Sequence, residues 1–276
     1  MGRSAWAALA DPPHLIAHRG GAGLAPENTL PAFTAAVDQW QSDLIELDVR
    51  ATADGHCVVI HDPTVDRTTN GQGDVAALTL AALRELDAGH RFTRDDGRSF
   101  PFRGQGVRVP TIDEVFDAVG ATPLIVEVKE EPAQRPLLEA IRRHGAESRV
   151  MHAGERHGDR SLFHRQYAGP ASASAAQIKR FYAAHVVRLA RLWPIRFDAF
   201  QVPETHEGRR VVTPRLIEDL RARGVIVHVW TVNEEGDMHR LLDWGVDGLV
   251  TDYPDRLARV LHERVGRPLP PALAGV

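Results

Sequence analysis

An α/β fold, and within it a single (β/α)8 barrel, is what the sequence predicts, on three observations. Short β-branched runs recur eight times along the 276 residues, segments of helical period separate most of them, and ionisable side chains gather at the ends of the runs. Such a barrel takes roughly 250 residues as one unit. Length alone would equally suit two smaller domains; the eight runs decide for the barrel. With 43% hydrophobic residues the chain has the apolar mass to fill one.

The runs lie at 15–20, 44–50, 57–62, 123–129, 149–153, 199–203, 225–231 and 248–252. Asn28 can cap the helix after the first run, and Thr111 with Glu114 makes a capping box after Pro110. Thr213-Pro214 opens another helix, which ends near Gly224. The second and third runs are separated only by a short turn centred on Asp54-Gly55, too little for a crossover containing a helix. That turn is either an extended return stroke or a hairpin. The return stroke is favoured, because both strands then carry their reactive ends to one rim. The stretch 63–110 holds a helix at 79–88 and a polar loop with Phe92, Phe100 and Phe102, and reads as an insertion over the barrel mouth. The domain plan is an N-terminal extension at 1–13, a barrel at 14–265 and a loose Pro-rich tail at 266–276.

Composition excludes several classes. The 33 basic and 37 acidic residues give a net charge of −4 and are interspersed, without the basic cluster of a nucleic-acid binder. Cys57 is the single cysteine, so neither an internal disulfide nor a Cys-ligated zinc site can form, and a reducing compartment fits. No stretch has the apolar length of a signal-peptide core or a bilayer span, and a soluble, cytoplasmic protein is expected. Nothing in the sequence bears on oligomeric state.

The chemistry sits on the runs. Side chains two apart on a strand share a face, so Glu46 and Asp48 place two carboxylates together, and Glu127 with Lys129 repeats the geometry. Three convergent carboxylates suit one hard divalent cation, Mg2+ or Ca2+. The bland alternative is a structural ion-pair cluster in which Lys129 and Arg50 neutralise the acids. His18 and His61 end the first and third runs, where two imidazoles can supply a base and an acid. With 14 histidines in the chain, position alone distinguishes this pair. Arg19 adds a fork for phosphate oxygens and Lys129 a point charge. The set reads as phosphoryl chemistry.

His18-Arg19-Gly20, Pro26-Glu27-Asn28-Thr29, Glu46-Leu47-Asp48-Val49 with Thr52-Ala53-Asp54-Gly55, and His61-Asp62 with Arg67-Thr68-Thr69 and Gly71 resemble the glycerophosphodiester phosphodiesterase family. Pro110-Thr111, Glu127-Val128-Lys129, Trp230-Thr231-Val232-Asn233 and Gly245-Val246-Asp247-Gly248 with Thr251-Asp252-Tyr253-Pro254 continue the match, over about residues 15–258. The resemblance implies a (β/α)8 barrel and a small glycerophosphodiester substrate. It makes Glu46, Asp48 and Glu127 ligands of one divalent cation, His18 and His61 the acid–base pair, Arg19 and Lys129 phosphate contacts, and Trp230 a wall against the glycerol. Asn28 is left as a helix cap and Asp62 as an orienter of His61 or a turn residue. The loop at 201–208, with Glu204 and His206, is a candidate lining of the mouth.

Two rival functions keep the barrel. A lysophospholipase D would use the same site, with the basic, apolar stretch 175–193 as its membrane contact; such a stretch is read in preference as packing on the barrel. A barrel that only binds glycerophosphodiesters would lack a histidine or a metal carboxylate, and none is missing. A zinc amidohydrolase would carry His-x-His on the first strand, where this chain has His18-Arg19-Gly20.

Overall fold

The computed structural model describes residues 6, 9, 11–154 and 161–274. The first half runs β1 (His14–His18), α1 (Leu30–Asp38), β2 (Leu44–Ala51), β3 (Cys57–Val59), α2 (Leu80–Arg84), α3 (Ile112–Val119), β4 (Leu124–Val128), α4 (Gln134–Arg143) and β5 (Val150–Ala153). The second runs α5 (Ser161–Gln166), α6 (Ala175–Val186), β6 (Ala199–Pro203), β7 (Thr205–His206), β8 (Arg209–Arg210), α7 (Pro214–Arg221), β9 (Ile226–Trp230), α8 (Glu235–Trp244), β10 (Gly248–Thr251) and α9 (Pro254–Val265).

Seven strands pair in parallel in the order β5-β4-β2-β1-β10-β9-β6. The ring closes through two residues: Ala171 bridges His152 of β5 and Ser172 bridges Ala199 of β6, both in parallel. Eight staves therefore form the barrel, but residues 171–172 are one of them and the run 57–62 is not. That run forms β3, which pairs antiparallel with β2, Val49 opposite Val59 and Ala51 opposite Cys57. The expected return stroke is thus a hairpin. Gly55 turns the chain at φ +82°, and the turn closes where the Thr52 N–H donates to the His56 carbonyl at 3.0 Å. Antiparallel return still delivers His61 to the C-terminal end of the barrel, because the Ile60 N–H donates to the Asp48 carbonyl at 3.0 Å.

Strand alternation divides the core. Ile16, Leu44, Ile125, Met151, Ala199 and Val250 pack together with Trp6 inside the lower barrel. Their odd-step neighbours, such as Leu47, Val49, Val126 and Val128, face the helices. Trp6 is buried, its indole N–H donating to the Ser148 carbonyl at 2.7 Å, so part of the stretch 1–13 is packed into the barrel floor. The tail also packs: Arg267 donates to Asp43 at 2.7 Å and the Ala272 N–H to the Gln39 carbonyl at 3.4 Å, where a loose segment is expected.

Local signals set most helix ends. The Thr111–Glu114 capping box forms, and Thr213 caps α7 over Pro214. Asn28 does not cap α1; Thr29 is the N-cap residue, while Asn28 sits at φ +57° with its side chain turned to Asp48. The helix expected at 79–88 is only α2, because after Glu85 the chain turns so that the Ala88 N–H reaches the Val107 carbonyl at 2.9 Å. Val65, Val75, Leu83, Ala88, Val107 and Val109 give the stretch 63–110 a small core of its own, against Val58 and Ile60 of the hairpin. No helix among the described residues is long and apolar enough to cross a membrane.

Candidate active site

The inward face that is apolar at the bottom of the barrel becomes ionisable at the top. Two residues above Leu44 stands Glu46, then Asp48; two above Ile125 stands Glu127, then Lys129; two above Ile16 stands His18. Parallel register sets them level, His18 opposite Glu46 and Asp48 opposite Glu127. Oxygens of Glu46, Asp48 and Glu127 lie within 4.8 Å of one another. The trio can hold one ion: all donors are carboxylate oxygens, the set preferred by a hard divalent cation.

The charges around the trio do not balance evenly. Lys129 Nζ lies 2.9 Å from Asp48 and 2.9 Å from Glu127, and Arg19 Nε lies 3.2 Å from Asp48. Burial by itself would raise the Asp48 carboxyl; Lys129, Arg19 and His61 outweigh it and hold it low. Glu46 has no Lys or Arg side-chain nitrogen within 4 Å among the described residues; it accepts from the Arg19 backbone N–H at 3.2 Å and has His18 Nε2 at 3.8 Å. Burial, and then the charge of Asp48, push its carboxyl up. Arg50 takes no part in neutralising the trio; it pairs with Glu130 at 2.9 Å, and its Nε donates to the His61 carbonyl at 2.9 Å. Glu46 is thus the least neutralised acid of the trio, the position where a bound cation would add most.

Both imidazoles are tied at the same ring atom. His18 Nδ1 lies 2.6 Å from Asp252 Oδ1, and His61 Nδ1 lies 2.6 Å from Asp62 Oδ1. Burial alone would lower the His18 imidazole; the Asp252 hydrogen bond and the Glu46 charge outweigh it and raise it. Asp252 is itself held by Asn233, whose Nδ2 donates to it at 2.7 Å. Asp62 accepts from Arg67 Nε at 2.6 Å, and its carboxyl, which burial would raise, is drawn down to about 2 by Arg67 and His61.

Arg67 continues the chain of contacts. Its Nη1 and Nη2 donate to the two oxygens of Glu27 at 2.6 and 2.8 Å, and Glu27 accepts from Arg19 Nη1 at 2.8 Å. Arg19 sits at φ +49°, and Gly20 after it at φ +86°, where a Cβ would stand 2.8 Å from that of Ala32. Arg19 Nε is buried without an aligned hydrogen-bond acceptor despite its closeness to Asp48.

Seven of the eight residues singled out in the sequence, His18, Arg19, Glu46, Asp48, His61, Glu127 and Lys129, therefore meet in one cluster. Trp230 ends β9 on the same rim and is 42% exposed, so it is not core packing. Asp252, Glu27, Arg67, Asn28 and Asn233 also belong to the cluster, although none was a site candidate. Asp252 had a readable signal: in a closed barrel the last strand lies beside the first, so an acid ending it neighbours His18. The loop 201–208 behaves differently. Glu204 is tied to Arg240 at 2.7 and 3.0 Å, Gln201 contacts His228 at 3.2 Å, and His206 lies on the exposed β7–β8 hairpin. His152 stacks on Phe163 at 4.0 Å.

A barrel whose C-terminal rim gathers two histidines, a carboxylate trio, an Arg and a Lys has the makings of a phosphodiester hydrolase. The chain belongs to the glycerophosphoryl diester phosphodiesterase family, whose sequence profile matches residues 18–256. It is 35% identical over 250 residues to a glycerophosphodiester phosphodiesterase of Caldanaerobacter subterraneus subsp. tengcongensis, covering 90% of this chain and 98% of that one. The fold matches the glycerophosphoryl diester phosphodiesterase domain of a Mycobacterium tuberculosis protein with a TM-score of 0.80, at 22% identity over 92% of this chain and 100% of that one. It also matches an Oleispira antarctica phosphodiesterase solved with the product sn-glycerol-3-phosphate, with a TM-score of 0.69 at 24% identity, covering 91% and 97%.

Proposed function

We propose that the chain hydrolyses small glycerophosphodiesters to sn-glycerol 3-phosphate and an alcohol, with His18 and His61 moving the protons and Glu46, Asp48 and Glu127 holding one divalent cation, Mg2+ or Ca2+. The observation that carries this reading is the pair of imidazoles tied at 2.6 Å through Nδ1 beside a carboxylate trio with 4.8 Å reach. A divalent ion held by these carboxylates would supply charge neutralisation for the phosphate.

The chain's own groups divide the remaining work. Each Nδ1–H donates to its carboxylate, which leaves Nε2 for the reaction, bare on His18 as the base and carrying the proton on His61 as the acid. His18, with its raised basicity, takes the proton from the nucleophile, and His61 gives one to the departing alcohol. The Arg19 guanidinium and the Lys129 ammonium meet the negative charge that builds on the phosphate. Trp230 offers an exposed apolar face for the glycerol carbons. Two nucleophiles fit: the glycerol 2-hydroxyl, giving a cyclic phosphate that water then opens, or water directly. Full turnover of a substrate lacking the 2-hydroxyl would eliminate the cyclic route.

The test is release of the head-group alcohol from a panel of glycerophosphocholine, glycerophosphoethanolamine and lysophosphatidylcholine, the phosphate product being sn-glycerol 3-phosphate from the first two and lysophosphatidate from the third. Turnover of the first two with loss in His18→Ala is expected. Preference for lysophosphatidylcholine would move the reading to a lysophospholipase D, and no turnover of any member would leave a binding barrel.

A further inference from the structure

The stretch that follows α6 is built unlike the rest of the surface. Phe181 is fully buried against Phe197 and Phe200, with Ile178 and Tyr182 half-buried beside it, so the helix packs on the barrel as its period implies. Beyond it the pattern fails. Seven large apolar side chains are exposed among the described residues, and five of them are Val186, Val187, Leu189, Leu192 and Trp193, with Leu192 81% exposed. Burial of Ala190 and hydrogen bonds from Arg223 to the Ala190 and Arg191 carbonyls at 3.2 and 2.7 Å fix this segment in place. It is a held surface, not a fraying end.

Its charge is equally one-sided. No Asp or Glu occurs from residue 166 to 197, whereas Lys179, Arg180, Arg188, Arg191 and Arg196 do, in a chain whose net charge is −4. None of these five cations has a carboxylate within ion-pair reach among the described residues. Lys179, Arg180 and Ala183 lie on α6 one turn at a time before Val186 and Val187, and all are exposed, so basic and apolar groups share one face. Surface apolar residues normally occur singly, and cations normally find acids; five of each together is an unpartnered surface.

Topology places this surface. Ser174 caps α6 just beyond the stave at 171–172, at the catalytic end, and α6 runs about 18 Å at 1.5 Å per residue towards the opposite end, where β6 begins at Ala199. The patch 186–193 therefore lies at the N-terminal pole of the barrel, away from His18 and His61.

We infer that this pole is a docking surface for an anionic phospholipid bilayer, with Val186, Val187, Leu189, Leu192 and Trp193 entering the interface and the five cations facing lipid phosphates. Charge complementarity selects that occupant. A second copy would bring five like charges against five, whereas an anionic interface takes both the apolar and the basic groups, and a Trp at its edge suits the headgroup level. Docked this way, the protein keeps its catalytic rim turned to the water, open to soluble diesters beside the membrane.

The experiment is co-sedimentation of the full chain with phosphatidylcholine vesicles and with vesicles that also contain phosphatidylglycerol. Binding to the anionic vesicles alone, weakened by salt, is expected. Arg188→Glu with Arg191→Glu, and separately Leu192→Ser with Trp193→Ser, should each lose it, the charge variant by about fivefold or more per cation. Turnover of a soluble diester and the melting temperature should be unchanged in both variants, showing an intact fold. Equal binding to neutral vesicles, no sedimentation with either, or a dimer in solution that the same variants dissociate would overturn the inference.

Discussion

His61 Nδ1 and Asp62 Oδ1 lie 2.6 Å apart, and the contact is made between neighbours in the chain at the end of a hairpin. His18 finds the same contact 234 residues away, at Asp252 just past the last strand. One orienter is local and the other depends on ring closure, yet each fixes an imidazole through the same atom. Asp62→Asn and Asp252→Asn are therefore expected to lower kcat by about 10²-fold or more while KM changes little, since an amide can hold the wrong tautomer. Steady-state kinetics on a soluble diester measures both; an unchanged kcat in either variant would refute its orienting role.

Arg67 joins Asp62 to Glu27, and Glu27 joins Arg19. Removing the guanidinium in Arg67→Ala should loosen His61 and Arg19 together and lower kcat/KM by about tenfold. Arg67→Lys should recover only part of it, because a point charge cannot bind both carboxylates in fork geometry. Full activity in Arg67→Ala would show that the two halves of the site are positioned independently.

Glu46 is the acid that burial and Asp48 push up. In Glu46→Gln a strained charge is removed, so without divalent ions the variant should melt no lower than the parent. The rise in Tm that Mg2+ or Ca2+ gives the parent should be absent from it. A thermal scan with and without ion tests this, and an undiminished rise would exclude Glu46 as a ligand.

A buried histidine should make stability pH-dependent. His228 is fully buried beside His14, at 3.3 Å, and burial followed by the His14 charge lowers its imidazole well below the ordinary value. At neutral pH it is uncharged in both folded and unfolded chains and contributes no pH dependence. As pH falls below about 6.5 the unfolded chain takes up the proton first, so stability is lost by up to about 1.4 kcal/mol per pH unit from this group. His228→Gln should show a shallower loss than the parent over that range in urea titrations. Parallel pH profiles would contradict the assignment.

The barrel was legible because apolar runs of strand length alternate with capped helices, and because inward positions such as Glu46, Asp48 and Glu127 keep strict two-residue spacing. What was not legible depended on pairing. A hairpin and a return stroke differ in backbone direction and not in side-chain pattern, so β3 could be read either way. The stave at 171–172 is two residues long and carries no periodic signal at all. Asn28 showed the composition of a helix cap, and only the fold turns its amide to Asp48, 20 residues on. Glu27 and Arg67 gain their meaning from each other, 40 residues apart, which no local pattern records.

The central claim, that one divalent ion held by Glu46, Asp48 and Glu127 serves two carboxylate-tied histidines, is tested most directly by calorimetric titration of the metal-stripped chain with Mg2+ or Ca2+, with glycerol 3-phosphate release followed at each point. One ion bound per chain is expected, with activity rising in step with occupancy and both lost in Asp48→Asn. Full activity in the stripped chain, or unaltered ion binding by Asp48→Asn, would contradict it.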